Sequence, residues 1–365
     1  MPTFMPGLEL AERYYQGLVQ PLLRTHFPGL RYAAALIGYG SEVLGFDTPM
    51  SMDHAWAPRM QLFLAQDETG QASGVDEMLK RNLPATFLGF PLGTQASLDE
   101  PGVFFMAEDT RAGDVAHKVQ VTNLRDFILE ELDWDLRLEL EPADWLSFSS
   151  QALLTITAGR VFFDNAGELS ALRQKLAFYP REIWLYLLAC GWDRIGQEDA
   201  LMQRAGLVGD ESGSAIIASR LVRDSMSLCF LMESRYAPYP KWFGSAFKNL
   251  ECAPELSPLL WQAQIAATWP ERARAIGLVC ELLVRKHNTL KLTEPQPERL
   301  TAFHGRPFQV IKAELISGAI LKSITDPEIC RIAQKGPLGS LDQFSDSSIL
   351  RSDPRWRQAI KHLYT

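Results

Sequence analysis

The sequence predicts two regions of different class: an α/β region with a small mixed sheet over residues 1–140, then a mainly α-helical region over 141–365. Two observations predict this. Up to about residue 140 the apolar residues come in short runs broken by glycine and proline, the mark of buried strands between turns. From Pro142 onward the apolar residues recur at helical spacing over long segments. A chain of 365 residues is also longer than one average core requires, so two domains are expected.

The elements follow in order. Leu8, Ala11, Tyr14, Tyr15, Leu18 and Leu22 share one helical face, which predicts an opening helix over 8–23 that ends at Phe27-Pro28-Gly29. A buried strand follows over 32–37 and stops at Gly38-Tyr39-Gly40-Ser41. A helical turn at 42–45, a loop at 47–49 and a second strand over 60–64 come next. Further on we expect a helix at 75–81, strands at 103–106 and 117–122, and a helix at 124–132. The helical region is expected to hold helices at 181–204, 214–233, 258–268, 271–287 and 308–316.

Composition narrows the function classes. The formal net charge of -8 argues against coating nucleic acid through bulk positive charge, so no extended nucleic-acid surface is expected. Met1 to Leu10 has no basic cluster leading into an apolar run, and no apolar stretch reaches membrane-spanning length. The five cysteines are isolated and lack zinc or redox spacing, which fits buried thiols in a reducing, cytoplasmic compartment.

The chemistry concentrates between residues 37 and 59. A strand leading into Gly40-Ser41 and a helical turn exposes main-chain N–H groups and a hydroxyl, which can hold the phosphates of a nucleoside triphosphate. A second strand arriving a dozen residues later can bring carboxylates alongside. On a strand, carboxylates two residues apart share a face and can share a divalent ion, which would orient the triphosphate and polarise its α-phosphorus.

Gly38-Tyr39-Gly40-Ser41-Glu42-Val43-Leu44-Gly45, with Asp53-His54, Trp56 and Pro58-Arg59, resembles the bacterial nucleotidyltransferase-like proteins catalogued under a domain of unknown function. The likeness runs on through Tyr179-Pro180-Arg181-Glu182-Ile183-Trp184-Leu185-Tyr186, through Tyr236-Ala237-Pro238-Tyr239-Pro240-Lys241-Trp242-Phe243-Gly244, and through His304-Gly305-Arg306-Pro307-Phe308. It implies an N-terminal nucleotidyltransferase-like domain and transfer of a nucleoside monophosphate from an NTP to a small-molecule hydroxyl. A macromolecular acceptor fits the acidic chain less well. Gly40 and Ser41 would hold the triphosphate, Asp53 would be the catalytic and metal-binding carboxylate for Mg2+ or Mn2+, and Lys241 would contribute a phosphate or substrate contact.

The chain departs from the pattern where family members often read Asp-His-Asp-Trp-Gly-Pro-Arg, because Ala55 and Ala57 stand at the third and fifth places. A lone aspartate is a poor cage for magnesium, which demands a near-octahedral oxygen shell. Asp47 and Glu42 are possible stand-ins. The third carboxylate would come from a later strand, where Gln120 offers only an amide, with Glu108 and Asp109 as alternatives. Three readings stay open: an active enzyme with displaced ligands, a non-catalytic nucleotide-binding or regulatory relative that has lost its metal site, or a variant changed at residue 55.

Other groups have structural readings beside functional ones. Lys241 lies in an aromatic, proline-bounded loop where its stem can pack on Trp242. Arg220, Arg223 and Asp224 fall on adjacent turns of one helix, as inter-helix ion pairs do. Glu182 suits a helix N-terminus, and Arg59 suits support of a strand end. Gly38-x-Gly40 lacks the third glycine of a dinucleotide fingerprint, and no Walker lysine follows.

Overall fold

The computed structural model of the chain describes residues 2–53, 56–96, 104–106 and 115–365, and of residues 53, 94–96 and 104–106 only the main chain. It divides into two compact units. The first comprises Met1–Glu139 and Ala152–Ala177, the second Leu140–Gln151 and Phe178–Thr365.

The first unit opens with α1 (Gly7–Tyr14), a π-helical turn (Tyr15–Val19) and α2 (Gln20–His26), which run on as one rod. Then come β1 (Tyr32–Leu36), β2 (Arg59–Leu64), α3 (Ala72–Asn82), the paired strands β3 (Thr86–Phe87) and β4 (Phe90–Pro91), and the paired strands β5 (Thr94–Ala96) and β6 (Phe104–Met106). The unit continues with β7 (Lys118–Thr122) and α4 (Leu124–Leu132).

The main sheet gains its fourth strand from far along the chain. After α5 (Pro142–Ser147) and α6 (Ser150–Thr157), β8 (Arg160–Asp164) returns to pair antiparallel with β1. Gly159, just before β8, has φ +73°, and a Cβ there would stand 2.0 Å from the Leu36 carbonyl oxygen, so the return needs glycine. The sheet order is β7-β2-β1-β8, with β1 and β2 antiparallel and β2 and β7 parallel. One face, with Tyr32, Ala34, Met60, Leu62 and Val119, packs on Tyr14, Tyr15, Val19, Val75 and Leu79 as an apolar core. The alternate residues of β2 and β7 put Arg59, Gln61, Lys118 and Gln120 on the opposite face. Asn123 ends β7 and starts α4, its side chain accepting from the Asp126 amide.

The second unit is mainly helical. Following α7 (Glu168–Lys175) of the first unit, it contains α8 (Arg181–Leu207), α9 (Glu211–Met232), α10 (Pro240–Phe247), α11 (Ala253–Ile265) and α12 (Trp269–Thr289). Next come a two-stranded ribbon of β9 (Thr301–Ala302) and β10 (Gln309–Val310), and α13 (Ala313–Lys322). Short helices follow, with an aspartate cap at Pro327–Gln334. α8 packs along α9, α12 and α13. The Trp184 indole donates to the Leu231 carbonyl, which fixes the start of α8 beside the end of α9.

The expected helix at 308–316 is replaced by β10 and then α13. Phe308, Val310 and Ile311 are buried as extended chain, where an apolar run reads the same as a helical one. Among the described residues, no helix is long and apolar enough to cross a membrane.

Candidate functional site

The chain leaves β1 through a tightly held turn. Gln61 of β2 is buried and clasps the main chain of Ile37, accepting from its N–H at 3.1 Å and donating to its carbonyl at 3.4 Å. The Gly38 amide donates to the Thr155 carbonyl at 2.7 Å, and the Gly159 amide to the Val43 carbonyl at 3.0 Å. From Gly40 the chain coils: Leu44 N–H bonds the Gly40 carbonyl, and Phe46 N–H the Ser41 carbonyl. Among the described residues the N–H groups of Gly40, Ser41, Glu42 and Val43 have no acceptor. A run of main-chain N–H groups opening a helical turn is a setting for an anion.

Charged side chains flank this turn. Glu42 is buried and accepts from Arg59 Nε at 2.8 Å, while Arg59 Nη2 also donates to the Tyr39 carbonyl. Gly40 has φ +143°, and a Cβ there would meet the Glu42 carboxylate at 2.5 Å and the Arg59 guanidinium at 2.6 Å. Arg59 therefore supports the strand end, as its position after Pro58 led us to expect. In the parallel register Arg59 lies opposite Lys118, the first residue of β7. Lys118 is half-buried, and its ammonium has no acceptor among the described residues. Burial lowers its pKa, the Arg59 charge lowers it further, and Glu42 pulls the other way. Burial pushes Tyr39 up to about 12, with Glu131 adding to the shift, and burial raises Glu131 itself to about 7.

The expected carboxylate set fares differently. Asp53 closes a 3-10 helix over Pro49–Asp53, and β2 begins only at Arg59. The strand position assumed for Asp53 is thus corrected: Pro49–Asp53 forms a helical coil, and the strand starts later. The Asp53 side chain, His54, Ala55, Glu108 and Asp109 all lie outside the described residues. The two possible stand-ins do not fit a divalent ion. Glu42 is tied to Arg59, and Asp47 accepts from the Gly7 amide at 2.7 Å and the Trp56 indole at 3.1 Å. Gln120 is exposed on β7, opposite Gln61. Among the described residues no group of three or more His, Cys, Asp or Glu is placed to hold a metal.

In the helical unit, Lys241 lies in the first turn of α10, correcting the expected loop. It is exposed, with Nζ 5.0 Å from the centroid of the Trp242 ring. Arg220 pairs with Glu198, and Glu182 caps the Thr325 and Asp326 amides. Asp224 is buried between Arg194 and Arg223, and all three line a cavity of about 300 Å3. Tyr236, Pro238, Pro240 and Phe243 line it too, together with Arg235. Sequence reading missed Lys118 and Arg235. Lys118 shares a strand face with Gln120, and Arg235 immediately precedes the aromatic segment, so parity and adjacency were the available signals.

Residues 145–243 match the model of a domain of unknown function (DUF4037). No curated protein matches the chain. Among solved structures, the chain is similar at a TM-score of 0.33 and 9% identity to the crystal structure of a nucleotidyltransferase-like protein from Exiguobacterium sibiricum 255-15, covering 80% of this chain and 82% of that one.

Proposed function

We propose that the α/β unit is a nucleotidyltransferase-like domain that binds the phosphates of a nucleoside triphosphate at the Gly40-Ser41 turn and passes the nucleoside monophosphate to a small-molecule hydroxyl. One observation carries this reading. Four consecutive amides, Gly40 to Val43, open a turn flanked by the half-buried Lys118, and neither the amides nor the lysine charge has an acceptor among the described residues. Amide donors and a desolvated lysine together are a phosphate-binding combination, the amides fixing oxygen positions and the ammonium supplying charge. Arg59 adds positive potential while its hydrogen bonds hold the strand end and the turn in register.

Asp53 is the residue we assign to Mg2+ or Mn2+ and to catalysis. The ion would supply charge neutralisation at the phosphates. Glu42 and Asp47 are committed elsewhere, so we derive no step through the ion. Lys241 is a further candidate phosphate or substrate contact, since its exposed ammonium is free to meet an anion. A second reading, a non-catalytic nucleotide-binding relative, is favoured by Ala55 and Gln120, which replace two expected carboxylates with neutral side chains.

Pyrophosphate release from ATP, GTP, CTP and UTP, measured with Mg2+ or Mn2+ and a pool of small hydroxyl acceptors, separates the two. The enzyme reading expects metal-dependent release that Asp53→Asn removes. Metal-independent binding without release, with turnover appearing only in Ala55→Asp, supports the second reading. Absence of nucleotide binding in either metal overturns both.

A further inference from the structure

We propose that the helical unit contains a binding site for a small organic monocarboxylate with a flat apolar body, its acid group on Arg235 and its body in the cavity walled by Tyr236, Phe243 and Leu228. The cavity holds about 300 Å3, at the small end of the range for ligand pockets. Its walls are aromatic: Tyr179 and Tyr236 meet edge-on with centroids 5.0 Å apart, and Phe230 and Phe243 lie 5.4 Å apart. Such walls favour a planar or compact apolar body.

The charges around the cavity select the rest of the ligand. Four arginines and three aspartates line it. Asp224 is held by Arg194 at 3.1 Å and by Arg223 at 3.0 Å. Arg223 also reaches Asp346. Asp342 pairs with Arg351 at 2.6 Å and accepts from the Ser150 amide at 2.6 Å. The guanidinium of Arg235 is left over, without an acceptor among the described residues. Ser227 of α9 also lines the cavity, and its hydroxyl has no partner among them either. One surplus positive charge matches one negative charge, and a carboxylate fits the planar guanidinium through two parallel hydrogen bonds. A dianion would leave excess negative charge beside three aspartates already neutralised. Every residue named belongs to the helical unit.

The test is calorimetric titration of the full chain with 3-phenylpropionate, its amide 3-phenylpropionamide, and phenyl phosphate. The acid is expected to bind at least about tenfold more tightly than the amide, the usual margin of a charge-assisted pair. Arg235→Gln, at an exposed position without an acceptor among the described residues, should bring the acid down to the amide's affinity and leave the melting temperature unchanged. Ser227→Phe, which fills the cavity, should abolish binding of both. Equal binding of acid and amide, no binding of the acid, or a preference that survives Arg235→Gln would overturn the proposal. Tighter binding of phenyl phosphate than of the acid would overturn the monoanion assignment.

Discussion

The Gly40-Ser41 turn and the cavity of the helical unit solve the same electrostatic problem at different depths. In each, a buried carboxylate is held by arginine and a further cation has no acceptor among the described residues. At the turn, Glu42 is held by Arg59 and Lys118 is left over. At the cavity, Asp224 is held by Arg194 and Arg223 and Arg235 is left over. The difference lies in how each leftover charge is held. Lys118 is fixed by a strand ladder and half-buried, whereas Arg235 follows the end of α9 and is exposed. The comparison teaches that the paired charges build each place, while the ligand we propose for it is read from the cation that has no acceptor among the described residues.

Removing the central acids tests the first half of that statement. Asp224→Ala leaves two arginines facing each other without their shared carboxylate, a loss expected to cost about 3–5 kcal/mol by urea denaturation. The cost should fall well below this if Arg194 is replaced by Met in the same chain, because the repulsion then disappears.

Among the described residues, burial raises a carboxyl to about 7 in each unit, Glu131 in the first and Asp199 in the second. Asp199 is the more deeply buried of the two, and Gln203 donates to its Oδ1. Burial raises its pKa from the usual 3.8, so the folded protein holds this proton more tightly than the unfolded chain. The stability it contributes is complete below about pH 4 and is lost as pH rises to about 7. Asp199→Asn should therefore gain on the natural protein across that window, by on the order of 4 kcal/mol at pH 8, with little difference at pH 4.

Glu42→Ala comes next, with an expected cost of about 2 kcal/mol, because Arg59 keeps its bond to the Tyr39 carbonyl and can turn partly to solvent. A cost equal to that of Asp224→Ala would break the comparison. Smallest of all, Lys118→Gln and Arg235→Gln should each change stability by less than about 0.5 kcal/mol, since neither charge has an acceptor among the described residues.

Some of this was legible in the sequence. α4 starts and ends where the apolar spacing ran, because Asn123 caps it and Phe127, Ile128 and Leu132 face the core. β1 ends at the glycines as expected, and Arg59 supports its strand end. The return of residues 152–177 to the sheet was hidden. β8 is five residues long, with no periodic signature, and its partner β1 lies more than a hundred residues earlier. The 3-10 helix before Asp53 was hidden as well, since a short coil between prolines has no repeating pattern to read. At the site, residue types named the glycine turn and the aromatic segment. They could not name Lys118 or Arg235, because which cation lacks a partner depends on contacts between distant elements.

The most direct test is calorimetric titration of the full chain with tripolyphosphate and with ATP, comparing the natural protein with Lys118→Gln at equal ionic strength. The account predicts that the natural protein binds both, that the variant binds each at least about tenfold more weakly, and that its melting temperature is unchanged. The lysine's lowered pKa adds a second reading on the same samples. The ammonium must be charged to hold phosphate, so affinity should fall with rising pH sooner than for an ordinary lysine, and only in the natural protein. Equal affinity in the two proteins would contradict the account and remove the anion site from this turn.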